Sequence, residues 1–157
     1  MTLKIDKKIK KAQVVTPQLE EPDDFEKEMM HEARSRPELL IGATYKVSIP
    51  SENHALYITI NDLVLNEGTD HETHHPYEIF INSKNMDQFQ WVLAFTRIVS
   101  AVFRKGGDVT FLVDELKSVF DPKGGYFKKG HGLMPSMVAE IGTIIETHMK
   151  SSGLIKE

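Results

Sequence analysis

Two short stretches hold the side chains best suited to chemistry. The first, Asp70-His71-Glu72-Thr73-His74-His75, sets three imidazoles and two carboxylates within six residues. Imidazole and carboxylate are good ligands for zinc or nickel, so His71, His74 and His75 are the candidate metal ligands. Their spacing is unordered and two of them are adjacent, so a solvated hairpin loop that binds metal adventitiously is the plainer reading. The second stretch, Gly124-Gly125-Tyr126-Phe127-Lys128-Lys129 with Lys123 before it, places lysines and glycines around two aromatics. It lacks the Gly-x-x-x-x-Gly-Lys-Ser/Thr of a phosphate-cradling loop. These seven residues are candidates for contact with an anion or an acidic partner surface. The bland alternative is a connector kept soluble by its lysines.

Nucleophilic catalysis finds no support: there is neither a Gly-x-Ser-x-Gly elbow nor a His-Glu-x-x-His helix. His31 and His54 lie beside apolar segments and His148 in the last helix, all without an evident carboxylate partner, and they read as partly buried or surface histidines. Trp91 and Phe95 read as core or interface. The 157 residues contain no cysteine, which excludes disulfides, iron–sulfur clusters and thiolate zinc sites and fits a reducing cytoplasm. A formal net charge of −4 gives no general attraction to nucleic acid. No apolar run approaches the roughly 20 residues that cross a bilayer, and the N-terminus lacks a signal-peptide core. A cytoplasmic protein is expected.

The elements that would position these residues follow from periodicity. Residues 1–35 read as a basic arm followed by an acidic helix or linker, in which Pro22-Asp23-Asp24 is good helix-start chemistry. Residues 36–157 read as one α+β domain. Tyr45, Val47 and Ile49 alternate with polar residues, as do Leu56, Ile58 and Ile60, while Tyr77, Ile79 and Ile81 alternate with Glu78, Phe80 and Asn82. Period two predicts three half-buried strands in a small antiparallel sheet, with Asn66–Pro76 as an exposed hairpin loop. A long helix is predicted from a cap at Asp87 to Lys105, stopped by Gly106-Gly107. Its two apolar stripes, one through Val92, Val99 and Phe103 and one through Trp91, Phe95 and Ile98, predict burial on both sides, the second by another helix or a second copy. A shorter helix, Val109–Val119, should pack Phe111, Leu112, Val113 and Leu116 inward after Asp108 caps it. Asp121–Gly125 is a predicted turn. A last helix from Pro135-Ser136 carries Val138, Ile141, Ile144, Ile145 and Met149 inward, with Gly153 past its end.

The blocks HALYITIND, PYEIFINSKN, QFQWVLAFTRIVSAVFRKGGDVTFLVDELKSVFDPKGGYF and PSMVAEIGTIIETHM, with Arg36-Pro37 and Gly42–Lys46, cover most of the chain in order. Together they resemble the TSCPD domain, the C-terminal region of adenosylcobalamin-dependent (class II) ribonucleotide reductases, which some bacteria encode as a separate small chain beside a large catalytic one. The resemblance implies a role in deoxyribonucleotide synthesis and hence DNA replication. The family pattern has a cysteine before its strand and a Cys-Pro near the close of its helices. The corresponding places here are near His54 and at Asp121-Pro122. Class II enzymes also use a C-terminal cysteine pair to re-reduce the active site, and no residue here replaces those sulfurs.

No catalytic residue is therefore carried over. The expectation is a non-catalytic accessory or regulatory chain, with a large catalytic reductase subunit as partner and adenosylcobalamin only in that subunit. Residues 124–132 are the expected partner-facing segment, and a homodimer is a further expected arrangement. An independent nucleotide- or anion-binding module is the alternative, and a metal-binding protein using the histidine-rich loop the third.

Overall fold

The computed structural model describes residues 35–48, 50, 55–84 and 89–156. The N-terminal arm, the acidic helix, His31, His54 and the Asp87 cap lie outside them. Three strands, β1 (Ile41–Ser48), β2 (Ala55–Leu65) and β3 (Thr73–Asn82), form an antiparallel sheet in the order β1-β2-β3. The register sets Tyr45 opposite Ile58, and Ile60 opposite Ile79. The alternation survives folding: Val47, Leu56, Ile58, Ile60 and Ile79 are buried together on one face, as period two requires. A bulge at Asn61/Asp62 shifts the β2–β3 register. Such a bulge adds a residue to one strand and sharpens the local twist.

Helices α1 (Phe89–Lys105), α2 (Phe111–Lys117) and α3 (Met137–Ser151) complete the core. Val99 and Phe103 of α1, Leu112, Val113 and Leu116 of α2, and Ile141, Ile145 and Met149 of α3 join the sheet residues in one cluster. Gly142 lets α2 and α3 approach closely, since a Cβ there would meet Leu116 Cβ at 2.9 Å. Arg104 and Lys105 occupy the last turn of α1, and Gly106 and Gly107 follow with φ of 76° and 74°, which ends the helix as glycine does. Between α2 and α3 lies a hairpin of β4 (Tyr126–Lys128) and β5 (Gly132–Met134). The result is a small α+β fold.

Four expectations need correction. The β2–β3 connection is shorter than Asn66–Pro76, because Thr73–Pro76 belong to β3 and both His75 and Pro76 are buried. Helix α1 is not buried on both sides: Phe95 is half-buried against the core, but Trp91 is 69% exposed and Ile98 64%. Phe111 sits at the first position of α2 and faces solvent. Residues 126–134 form a hairpin, because cross-strand bonds there satisfy the backbone that a connector would leave to water.

Candidate functional site

The hairpin gathers the second group of predicted site residues. Its approach is a tight turn in which Gly124 N–H donates to the Asp121 carbonyl at 2.8 Å and Lys123 N–H donates to Asp121 Oδ1 at 2.8 Å. Gly124 has φ of 98°, a conformation that favours glycine. The register pairs Tyr126 with Met134, Phe127 with Leu133 and Lys128 with Gly132. Alternation then divides the side chains. Tyr126 Oη donates to Glu140 Oε2, and Lys128 Nζ binds Glu140 Oε1. Glu140 is 1% exposed and sits in the first turn of α3, where free N–H groups favour a carboxylate. Ser136 caps the same helix, accepting from Ala139 N–H at 3.0 Å while donating to the Val119 carbonyl at 2.7 Å.

Phe127 and Leu133 take the other face, 73% and 69% exposed and directly opposite one another. Phe120 is also exposed, beside the Asp121 N–H bond to the Pro135 carbonyl at the hairpin base. The seven predicted residues thus have different fates. Gly124 and Gly125 shape the turn, Tyr126 and Lys128 anchor on Glu140, Phe127 is presented outward, and Lys123 and Lys129 remain exposed.

The histidine-rich stretch is not brought together. Glu72 Oε2 accepts from Gly68 N–H at 2.9 Å, and that bond, with a smaller contribution from His74, holds the Glu72 carboxyl below its ordinary range. His74 Nε2 lies 3.4 Å from Glu72 Oε1. His75 is buried, its Nδ1 2.9 Å from the Pro76 carbonyl. A carbonyl only accepts, so Nδ1 carries the proton. His71 stays exposed in the loop. Among the described residues no group of three histidine or carboxylate side chains is placed to hold a metal ion.

Three polar side chains form a buried chain that no local spacing in the sequence reveals. His148 on α3 has Nε2 2.8 Å from Asp62 Oδ1 and Nδ1 2.9 Å from Tyr45 Oη. The Tyr45 ring meets the imidazole edge-on, with centroids 5.8 Å apart and planes at 84°. An ionised carboxylate only accepts, so Nε2–H donates to Asp62 and Nδ1 is free to accept the tyrosine proton. Burial pushes the Tyr45 hydroxyl above its ordinary pKa, outweighing an opposing hydrogen bond with Ser151, and the nearby Asp62 charge adds a smaller push in the same direction. The carboxylate partner that His148 lacked in sequence is thus Asp62. One signal was present: Asp62 continues the inward phase of Ile58 and Ile60, where an apolar residue is expected.

A further buried carboxylate, Glu78, lies on β3 opposite Asn61, beside the bulge. Glu78 accepts from Arg36 Nε at 2.9 Å, from an Arg36 terminal nitrogen at 2.8 Å and from Asn61 Nδ2 at 2.9 Å. The paired guanidinium holds the Glu78 carboxyl below its ordinary value, outweighing the opposing effect of burial. Glu78 also lines an open cleft of about 550 Å³ between β3 and α1, with Phe80, Leu93, Arg97, Ile98 and Arg104.

The arrangement can bind and orient, and the 157 residues supply no thiol for radical or disulfide chemistry. Comparisons with curated proteins and with solved structures returned no match. The TSCPD domain family matches residues 28–149, a span that takes in every strand and helix described above except the end of α3. This chain belongs to the TSCPD domain family, a domain found in class II ribonucleotide reductases.

Proposed function

We propose that this chain is a non-catalytic accessory or regulatory component of an adenosylcobalamin-dependent ribonucleotide reductase, acting in cytoplasmic deoxyribonucleotide synthesis by docking onto the large catalytic subunit. Family membership supplies the link to the reductase. The absence of thiols from these residues turns the reading away from catalysis, because ribonucleotide reduction consumes a dithiol. The cobalamin would then reside in the partner.

One observation carries the docking role: Phe127 and Leu133 form an exposed cross-strand apolar pair on a hairpin whose inner face is fastened to buried Glu140. Preorganised apolar anchors lose little conformational freedom on binding and are the usual source of interface energy. The anion-binding alternative loses ground because Lys128 is already engaged by Glu140, leaving Lys123 and Lys129.

The test is calorimetric titration against a purified large catalytic subunit, with wild-type chain and with Phe127→Ala plus Leu133→Ala. The expected result is saturable binding that weakens about 30-fold or more in the double variant, as losing hot-spot anchors worth at least ~2 kcal/mol requires. Absence of both binding and any effect on reductase turnover would overturn the proposal.

A further inference from the structure

The cleft between β3 and α1 is lined by two cations, Arg97 and Arg104. Arg97 and Arg104 lie seven residues apart on α1, two turns or about 10 Å along its axis, and both line the cleft. Among the described residues neither makes a salt bridge; Arg104 sits over the Tyr77 ring at 5.9 Å. Glu78, on the cleft wall, is held in a two-point contact by Arg36 and also feels the Arg104 charge, so one carboxylate faces three guanidinium groups and the cleft keeps an excess of positive charge. The lining also offers apolar surface: Phe80, Leu93 and Ile98 are about half exposed or more, at 54%, 47% and 64%. Guanidinium groups match carboxylates, so the cleft suits an acidic segment bearing an apolar side chain.

Such a segment exists in this chain. Glu20–Glu28 contains six carboxylates and one lysine around Phe25. The described chain begins at Ser35, and Arg36 is fastened to Glu78 at the cleft wall. Glu28 is eight residues before that anchor, and an extended chain spans about 3.3 Å per residue, so the acidic segment has ample reach. We infer that the α1–β3 cleft is a docking site for the acidic segment Glu20–Glu28 of the same chain, with its carboxylates on Arg97 and Arg104 and Phe25 against Phe80, Leu93 and Ile98. The contact covers apolar surface that would otherwise face water. It also makes the cleft available to an acidic partner only by displacement of the chain's own segment.

The absence of cysteine gives a direct test on the full chain. Gln18→Cys carries one paramagnetic label, and amide spectra report which residues lie near it. The expected result is about twofold or greater loss of peak height for Leu93–Arg104 and Phe80. That loss should be relieved by Arg97→Glu with Arg104→Glu, by Asp23→Asn with Asp24→Asn and Glu26→Gln, and by about 0.5 M salt, which shrinks the screening length to roughly 4 Å. The second variant leaves the cleft untouched, so recovery in it cannot arise from misfolding. Undisturbed peaks, or loss that survives both charge changes, would overturn the proposal. So would the same loss in a mixture of spin-labelled chain lacking the isotope with enriched chain lacking the spin label, which would place a second copy's segment in the cleft.

Discussion

His148 Nε2 and Asp62 Oδ1 stand 2.8 Å apart with both side chains almost wholly buried, joining α3 to the bulged part of β2. Tyr45 completes the chain from β1, so three elements share one polar network inside an apolar core. Replacing His148 by Leu leaves the Asp62 carboxylate buried without its donor. Removing one partner of a buried pair costs about 3–5 kcal/mol, whereas Tyr45→Phe loses one hydrogen bond at about 1 kcal/mol. Urea unfolding should rank the variants in that order. A His148→Leu variant within about 1 kcal/mol of wild type would show that water satisfies Asp62.

Stability toward acid should depend on Glu78. Its folded-state pKa lies below the ordinary 4.5, chiefly through the Arg36 hydrogen bond. A depressed carboxylate stabilises the fold fully above the unfolded value, and that contribution disappears as pH falls through the folded value. Wild-type stability should therefore fall steeply below about pH 4.5, and Glu78→Gln should be less stable at pH 7 with a flatter acid limb. Thermal unfolding from pH 7 to pH 3 measures both. Parallel curves for the two proteins would refute the assignment.

The face of α1 that carries Trp91 gives a third test. In isolation the amphipathic pattern suggested a fully enclosed helix, and truncation of an enclosed Trp costs about 3–5 kcal/mol. With Trp91 69% exposed, Trp91→Ala should cost less than about 1 kcal/mol in the monomeric chain. Equilibrium unfolding at low protein concentration decides it. A larger loss that grows with concentration would indicate that a second copy covers this face.

Much of the fold was legible because the core is patterned locally. Val47, Ile58, Ile60 and Ile79 reveal strands by period two, while Val99, Phe103, Ile141, Ile145 and Met149 reveal helices by period near four. The hairpin β4–β5 was not legible, since three-residue strands are too short to show a period and their fold depends on Glu140, up to 14 residues away. The Tyr45–His148–Asp62 network was hidden for a stronger reason: its members are 103 and 86 residues apart, and no local spacing encodes such a meeting. Trp91 and Ile98 failed in the opposite sense. An apolar stripe says that a surface prefers cover, without saying that the same chain provides it.

The last prediction separates the two faces of the hairpin. Tyr126 and Phe127 are sequence neighbours, yet alternation sends one to Glu140 and the other to solvent. A double alanine substitution at both would mix anchoring with presentation. Phe127→Ala with Leu133→Ala should leave the melting temperature nearly unchanged, because two exposed side chains contribute little to folding. Glu140→Ala should instead strip Lys128 and Tyr126 of their shared acceptor, costing about 3 kcal/mol, of the order found when a buried ion pair is broken. Amide exchange can localise that effect: the hairpin amides should lose protection before those of β2 and α1, since both Tyr126 and Lys128 seat the hairpin on Glu140. Uniform loss of protection across the domain would mean that Glu140 holds the whole core. A destabilised Phe127/Leu133 double variant would mean that the pair packs against the fold, and the outward face of the hairpin would then be no candidate for the reductase contact.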